Sequence, residues 1–265
     1  MREVFHKQCE GITARSETFH NLYSYRRWSD LKHFALINKE NLVNNVSHLI
    51  KSLTLILAVV LTGCNQIGGI ASVQGSGTAK SETRSVSGFS GVVVSGQGTV
   101  TISVTGTESL TIEADDNILP LLTSDVNGGR LELGTKPNNS ISPKIGPTYT
   151  LTVKSLDEIV LSGSANITAT DLSATKLTVT LSGSGIITTS GQADNLSVML
   201  SGSGRFAGYD LIAKSVSVVL SGSGTILVTA NDSLDVKLPG SGNVTYKGNP
   251  SVNVDKSGSG NVSKG

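Results

Sequence analysis

Downstream of about residue 156, apolar and polar positions alternate with a phase that keeps returning. The reference point is a five-residue string: "LSGSG" at Leu181, Leu200 and Leu220, with "LSGSA" at Leu161, "LPGSG" at Leu238 and "KSGSG" at Lys256. Two residues before each string stand Ile159, Val179, Val198, Val218, Val236 and Val254. Four residues before stand Leu177, Leu196, Val216, Leu234 and Val252. Six residues after its first letter stand Ile167, Ile187, Phe206, Ile226, Val244 and Val262. A spacing of two within each unit marks strands with one buried face. The units themselves recur every 18–20 residues.

A unit that short cannot bury its apolar face alone, and stacking on the next unit supplies the missing neighbour. The pattern therefore predicts an all-β fold, a right-handed parallel β-helix (β-solenoid) with coils of about 18–20 residues. Roughly nine coils would fit between Ser85 and Gly265, giving a rod about 40 Å long. The string is read as the corner of the coil. Gly183 continues the inward phase of Val179 and Leu181, and without a side chain it lets one coil approach the next. Ser182, Ser201 and Ser221 form one outward row, and Ser184, Ser203 and Ser223 a second, with hydroxyls placed to pair between coils. Outward Thr178, Thr180, Ser197 and Ser217 predict a flat, hydroxyl-rich face.

Upstream of residue 156 the repeat blurs. "VSGQGTV" (Val94–Val100) fits it, with Val92, Val94 and Val100 in ladder positions. "SLTIEADDNILPLL" and "GGRLELG" still alternate, but their spacing drifts. "KPNNSISPKIGPTY" carries three of the six prolines and reads as a protruding loop. No capping helix follows "SGSGNVSKG", so the last coil is expected to fray or to be covered by a partner.

A different kind of sequence precedes the repeat. In "KSLTLILAVVLTGC" (residues 51–64), a lysine leads a short apolar core and small residues lead to Cys64. The core is too short to span a bilayer, and the order is that of a secretory signal. "LTGC" resembles the bacterial lipobox, which implies cleavage before Cys64 and lipid modification of its thiol. Residues 46–63 are then the lipoprotein signal peptide, and residues 64–84 the lipidated cysteine and a Gly-rich flexible tether. Residues 85–265 are the solenoid domain. Residues 1–45 are read as an N-terminal extension that the exported protein does not need. "GSGTAKS" (Gly75–Ser81) lacks the glycine before the lysine that a phosphate loop requires, and reads as linker. Asn65, rather than Asp, follows Cys64 and points to the outer membrane.

Charge and composition narrow the chemistry. All four histidines, Trp28 and Cys9 lie before residue 49. After Cys64 the chain has 13 Lys/Arg and 15 Asp/Glu, with no His, Cys or Trp. No basic cluster with interleaved aromatics is present, which argues against nucleic acid. A serine nucleophile would lack a histidine base, and a serine repeated in every coil is architecture rather than chemistry. Zinc-type metals would lack His and Cys ligands. "EADDN" (Glu113–Asn117) reads as an acidic turn rather than a calcium site. Asp157, Glu158, Asp171, Asp194, Asp210 and Asp232 are scattered along the chain, without the paired arrangement of a glycosidase. No catalytic residue, cofactor site or metal site is therefore expected, and Cys64 is the one modified position.

From about Arg84 to the end, the succession "FSGVVVSGQGTV", "IEADDNILP", "NGGRLEL", "LDEIVLSGSANI" and the serial SGSG strings resembles the putative auto-transporter adhesin head (GIN) domain family. The resemblance implies a β-helical protein of the Gram-negative envelope, secreted or lipid-anchored. The expectation is thus a non-enzymatic, lipid-anchored envelope adhesin or scaffold. Its partners would be the membrane, through the anchor, and a glycan or envelope component, with self-association as a further route. The alternative is a periplasmic carbohydrate-active β-helix enzyme, a lyase or hydrolase.

Overall fold

The computed structural model describes residues 72–265. Cys64, the signal segment and residues 1–45 lie outside the described residues. The fold is all-β, with parallel coils stacked into a β-solenoid of about five turns. Its strands are β1 (Ser72–Gln74), β2 (Ala79–Arg84), β3 (Gly91–Val94), β4 (Thr99–Val104), β5 (Ser109–Asp115), β6 (Leu122–Asn127), β7 (Arg130–Thr135), β8 (Ser140–Ser142) and β9 (Thr148–Val153). They continue with β10 (Glu158–Leu161), β11 (Asn166–Leu181), β12 (Ile186–Leu200), β13 (Arg205–Leu220), β14 (Thr225–Leu238), β15 (Asn243–Gly248), β16 (Ser251–Lys256) and β17 (Asn261–Lys264).

Each turn contributes to two ladders. The ladder after the SGSG string runs β17–β15–β14–β13–β12–β11–β4–β9, all parallel. The ladder before the string runs β16–β14–β13–β12–β11–β10–β3–β7, also parallel. The alternation foreseen in the sequence holds from Ile159 to Val244, where every ladder position named is buried. Val179, Val198 and Val218 pair in register and are fully buried, with Leu177, Leu181, Ile187, Phe206 and Ile226 beside them in one continuous core.

The corner string is held by backbone, not by its serines. Ser182 N–H donates to Leu161 O at 2.9 Å, Ser184 N–H to Gly163 O at 3.1 Å and Ile186 N–H to Ala165 O at 3.2 Å, and the same set recurs one coil later. The glycines make this approach possible. A β-carbon on Gly183 would fall on the carbonyl of Gly163, one on Gly202 on that of Gly183, and one on Gly222 on that of Gly202. None of these three needs a left-handed backbone; closeness alone excludes a side chain. The flanking Ser182, Ser184, Ser201, Ser203, Ser221 and Ser223 are exposed.

Three expectations change. The estimate of nine coils fails, because residues 79–84 and 109–135 build an end cap instead of further turns. β5 runs antiparallel to β9, β2 antiparallel to β5, and β6 antiparallel to β7. The turn between β6 and β7 is Gly128–Gly129, both at positive φ (55° and 78°), the geometry of a two-residue hairpin. Second, residues 72–84, assigned to the flexible tether by composition, carry β1 and β2. Alternating "AKSETR" is polar enough to look like linker, yet it forms the charged outer edge of the cap, a normal protection for an edge strand. Third, Val252 and Val254 are 39% and 42% exposed, although they pair in register with buried Leu234 and Val236. β16 is the last level of its ladder, so no further coil covers its inward positions.

The loop between β7 and β9 is pinned rather than protruding. β8 pairs with β1, and the "EADDN" turn clips both to the cap. The Asp115 carboxylate is fully buried and accepts N–H bonds from Gly77 (2.6 Å), Lys144 (2.9 Å) and Ile145 (3.0 Å). Asn117 Oδ1 accepts from Ser76 N–H at 2.9 Å, and Asn117 Nδ2 donates to Gln74 O at 2.8 Å. Arg84 closes the other side of the cap, donating to Leu122 O at 2.8 Å and Leu119 O at 3.0 Å.

Candidate functional site

The second corner of the coil, opposite the SGSG string along the chain, is less regular. The register of β11 on β12 shifts between Ala169 and Leu172, that of β12 on β13 between Thr188 and Ser190, and that of β13 on β14 between Gly208 and Ile212. Asp171 sits there at φ 60° and Gly191 at φ 124°. Bulges of this kind turn side chains away from the plain alternation of a strand. Beyond them the coils realign, with Ala174, Ala193, Ala213 and Ala230 paired in register.

Ala174, Ala193 and Ala213 lie along the bottom of an open trough of about 430 Å³ that crosses four coils, the last two with their side chains buried in the core. One wall carries Ser173, Gln192 and Ile212, and the other carries Thr175, Asp194, Lys214 and Asn231. Lys214 Nζ lies 2.7 Å from Asp194 Oδ1. The hydrogen bond to Asp194, then the charge of Asp194 and of the more distant Asp232, hold the Lys214 ammonium above its ordinary pKa. Ile212 is 48% exposed, the largest value among the exposed apolar side chains described. Asn195 Nδ2 donates to Thr175 O at 3.2 Å, tying one wall to the next coil.

Next to the trough lies a shallower depression lined by Lys176, Asn195, Ser197, Ser215, Ser217 and Asp235, among others. The expected hydroxyl face is thus present in part. Thr178, Ser197 and Ser217 align in one row, but the row follows with Asp235. The neighbouring row is Thr180, Met199, Val219 and Lys237, and Met199 is 42% exposed. The face is therefore mixed. Period alone predicted which positions point outward, but not which residue types share a row.

The scattered carboxylates do not converge. Glu158 is engaged by Arg130 through two bonds (2.6 and 2.9 Å), and Asp194 by Lys214. Among the described residues, no three His, Cys, Asp or Glu side chains are grouped to hold a metal. No helix among them is long and apolar enough to cross a membrane. The alanine row was missed in the sequence because Ala174, Ala193 and Ala213 stand seven residues before the SGSG string, an odd offset that falls out of step with ladder positions two and four before it.

The described residues thus form a capped parallel solenoid with a polar lateral trough. The chain belongs to the family described as "Putative auto-transporter adhesin, head GIN domain", which matches residues 88–250. Among solved structures it is similar to a putative adhesin from Bacteroides fragilis at 21% identity and TM-score 0.59, covering 72% of this chain and 99% of that one. It is also similar to a putative lipid binding protein from Parabacteroides distasonis at 21% identity and TM-score 0.52, covering 74% of this chain and 100% of that one. These two likenesses establish the shared fold. No curated protein matches the chain.

Proposed function

We propose that the protein is a non-enzymatic adhesin of the bacterial cell envelope, anchored through a lipid on Cys64, in the outer membrane. The observation that carries this reading is the lateral trough: it is open, shared between successive coils and lined by six polar residues, three alanines and Ile212. Such a surface suits an extended partner that makes many modest contacts. It offers no activated nucleophile and no acid–base pair of the kind that hydrolysis requires. Membership of the adhesin head family supports the same reading.

Individually weak contacts become useful when many copies are held on one surface, because effective concentration replaces affinity. A lipid anchor supplies that arrangement, and several acyl chains hold firmly where one is marginal. The test has two arms. Cys64→Ser should abolish incorporation of a fatty-acid analogue and leave an unprocessed precursor; normal processing and membrane retention would refute the anchor. The full chain displayed densely on liposomes should adhere to envelope material much more strongly than dispersed copies. Equal binding in both formats would refute multivalent adhesion, and shortening of a bound glycan would establish the enzyme alternative instead.

A further inference from the structure

We infer that the lateral trough binds a neutral, extended glycan chain lying along the stacking axis, with about one sugar unit per coil. The inference rests on the adhesin reading for its setting and names the ligand class of the same surface.

The walls are chemically suited to hydroxyl groups. Ser173, Thr175, Gln192 and Asn231 each present both donors and acceptors, which is what a sugar hydroxyl offers in return. Charge at the trough is internally compensated, since Asp194 and Lys214 already hold each other at 2.7 Å. A polyanion would need several uncommitted cations in a row, and the trough lining supplies one lysine, already paired. A neutral ligand meets no such deficit. The half-exposed side chain of Ile212 gives the apolar C–H face of a sugar ring a place to rest.

The geometry sets the direction. The trough crosses β11 to β14, so equivalent positions repeat at the strand spacing of about 4.8 Å and extend about 15 Å from first to last coil. One such step is close to the length of one sugar unit in an extended chain. A ligand along the axis would therefore meet similar surroundings at each unit, whereas one running around the coil would leave the trough after a single unit. The positive φ of Asp171 and the three register shifts lie beside the trough. Local strain and bulges next to a surface feature are characteristic of binding sites.

The test uses the full chain in detergent, titrated calorimetrically with cellohexaose and mannohexaose, with their disaccharides for length. A galacturonic acid hexamer and phosphatidylglycerol vesicles provide anionic and lipid comparisons. A neutral hexasaccharide should bind, and its disaccharide should bind roughly tenfold more weakly or worse. Binding should change little up to about 1 M salt, because no net charge drives it. Gln192→Ala combined with Asn231→Ala should weaken binding roughly tenfold or more, through two lost hydrogen bonds. Thr175→Trp should block the trough, and Ser184→Ala at the other corner should have no effect. Of these positions Gln192 lies in a ladder, so folding of each variant is checked by circular dichroism; the double alanine variant serves if the Trp variant misfolds. Failure of both neutral hexasaccharides, undiminished binding by the double variant, or preference for the anionic hexamer or vesicles would each overturn the inference. Envelope attachment that survives these trough variants would refute the trough and leave the anchored adhesin standing. Trough-dependent glycan binding by a chain that fails to attach to envelopes would refute the adhesin reading instead.

Discussion

The ring of Phe206 occupies the space that a side chain on Gly208 would need. A β-carbon on Gly208 would lie 2.5 Å from Cε1 and 2.8 Å from Cζ of that ring, and the phenylalanine is fully buried. The two residues are on the same strand and the same inward face, two positions apart. One oversized and one absent side chain fill a single volume. Gly208→Ala should therefore destabilise the domain by about 1–3 kcal/mol through overpacking. Adding Phe206→Leu should recover part of that loss. Urea unfolding of the two single variants and the double variant would show the coupling; strict additivity would contradict it.

The ladder gives a sharper contrast. Val218 is fully buried between Val198 and Val236. Val218→Asp would bury an unpaired carboxylate and should cost at least about 4 kcal/mol. Ser221→Ala removes an exposed hydroxyl and should stay within about 0.5 kcal/mol. Thermal melts of the pair would reverse the inside–outside assignment if both variants lost equally.

At the corner, glycine and serine should differ in the same way. Gly202→Ala would press a methyl group against the carbonyl of Gly183, which also accepts from the N–H groups of Ser203 and Gly204, both at 3.1 Å. A loss of about 3 kcal/mol is expected, the upper end of the overpacking range. Ser203→Ala should be nearly silent. Amide hydrogen exchange at residues 203–205 reads the effect directly: faster exchange in the glycine variant only.

The Asp115 clamp predicts an acid-sensitive cap. Burial pushes this carboxyl up, but the N–H bonds from Ile145, Gly77 and Lys144, with the Lys144 charge, together outweigh it and hold the group below its ordinary value. A carboxylate with a lowered folded pKa contributes stability above its unfolded pKa and loses that contribution as pH falls through the folded value. The link between β1, β8 and the cap should hold at neutral pH and open below the ordinary aspartate range. In Asp115→Ala the same link should be open at every pH. Exchange rates of the Gly77, Lys144 and Ile145 amides against pH are the measurement; rates in the parent that do not respond to acid would refute the clamp.

The parts legible in the sequence are those in which one rule repeats. Val179, Val198 and Val218 could be placed inside because alternation and an 18–20-residue return agree at every copy. The cap was not legible, because "SLTIEAD" and "RLELG" alternate equally well as a coil or as a hairpin. Period two identifies a buried face but says nothing of strand direction. The pair Gly128–Gly129 was the available sign of a hairpin, but it stood in a chain where glycine is abundant. Asp115 looked like a turn residue because its partners are backbone N–H groups of Gly77, Lys144 and Ile145, which no side-chain pattern announces. The trough was hidden for a related reason: Ala174, Ala193 and Ala213 are buried at an odd offset from the string, where two-residue alternation places an outward side chain.

Strand order in space departs from strand order along the chain in the coil formed by β3 and β4. β4 lies between β11 and β9, and β3 lies between β10 and β7. The coil of β3 and β4 is therefore sandwiched by partners that emerge some forty to seventy residues later, and its hydrogen bonds must wait for them. Contacts that distant are slow to form, since a long loop must close before any of them stabilises the chain. During synthesis, Val92 and Val94 stay unpaired until β7 follows, and Val100 and Ile102 until β9 follows. A fragment ending before Glu158 would lack one neighbour of that coil permanently, and proteases would meet it as an open chain.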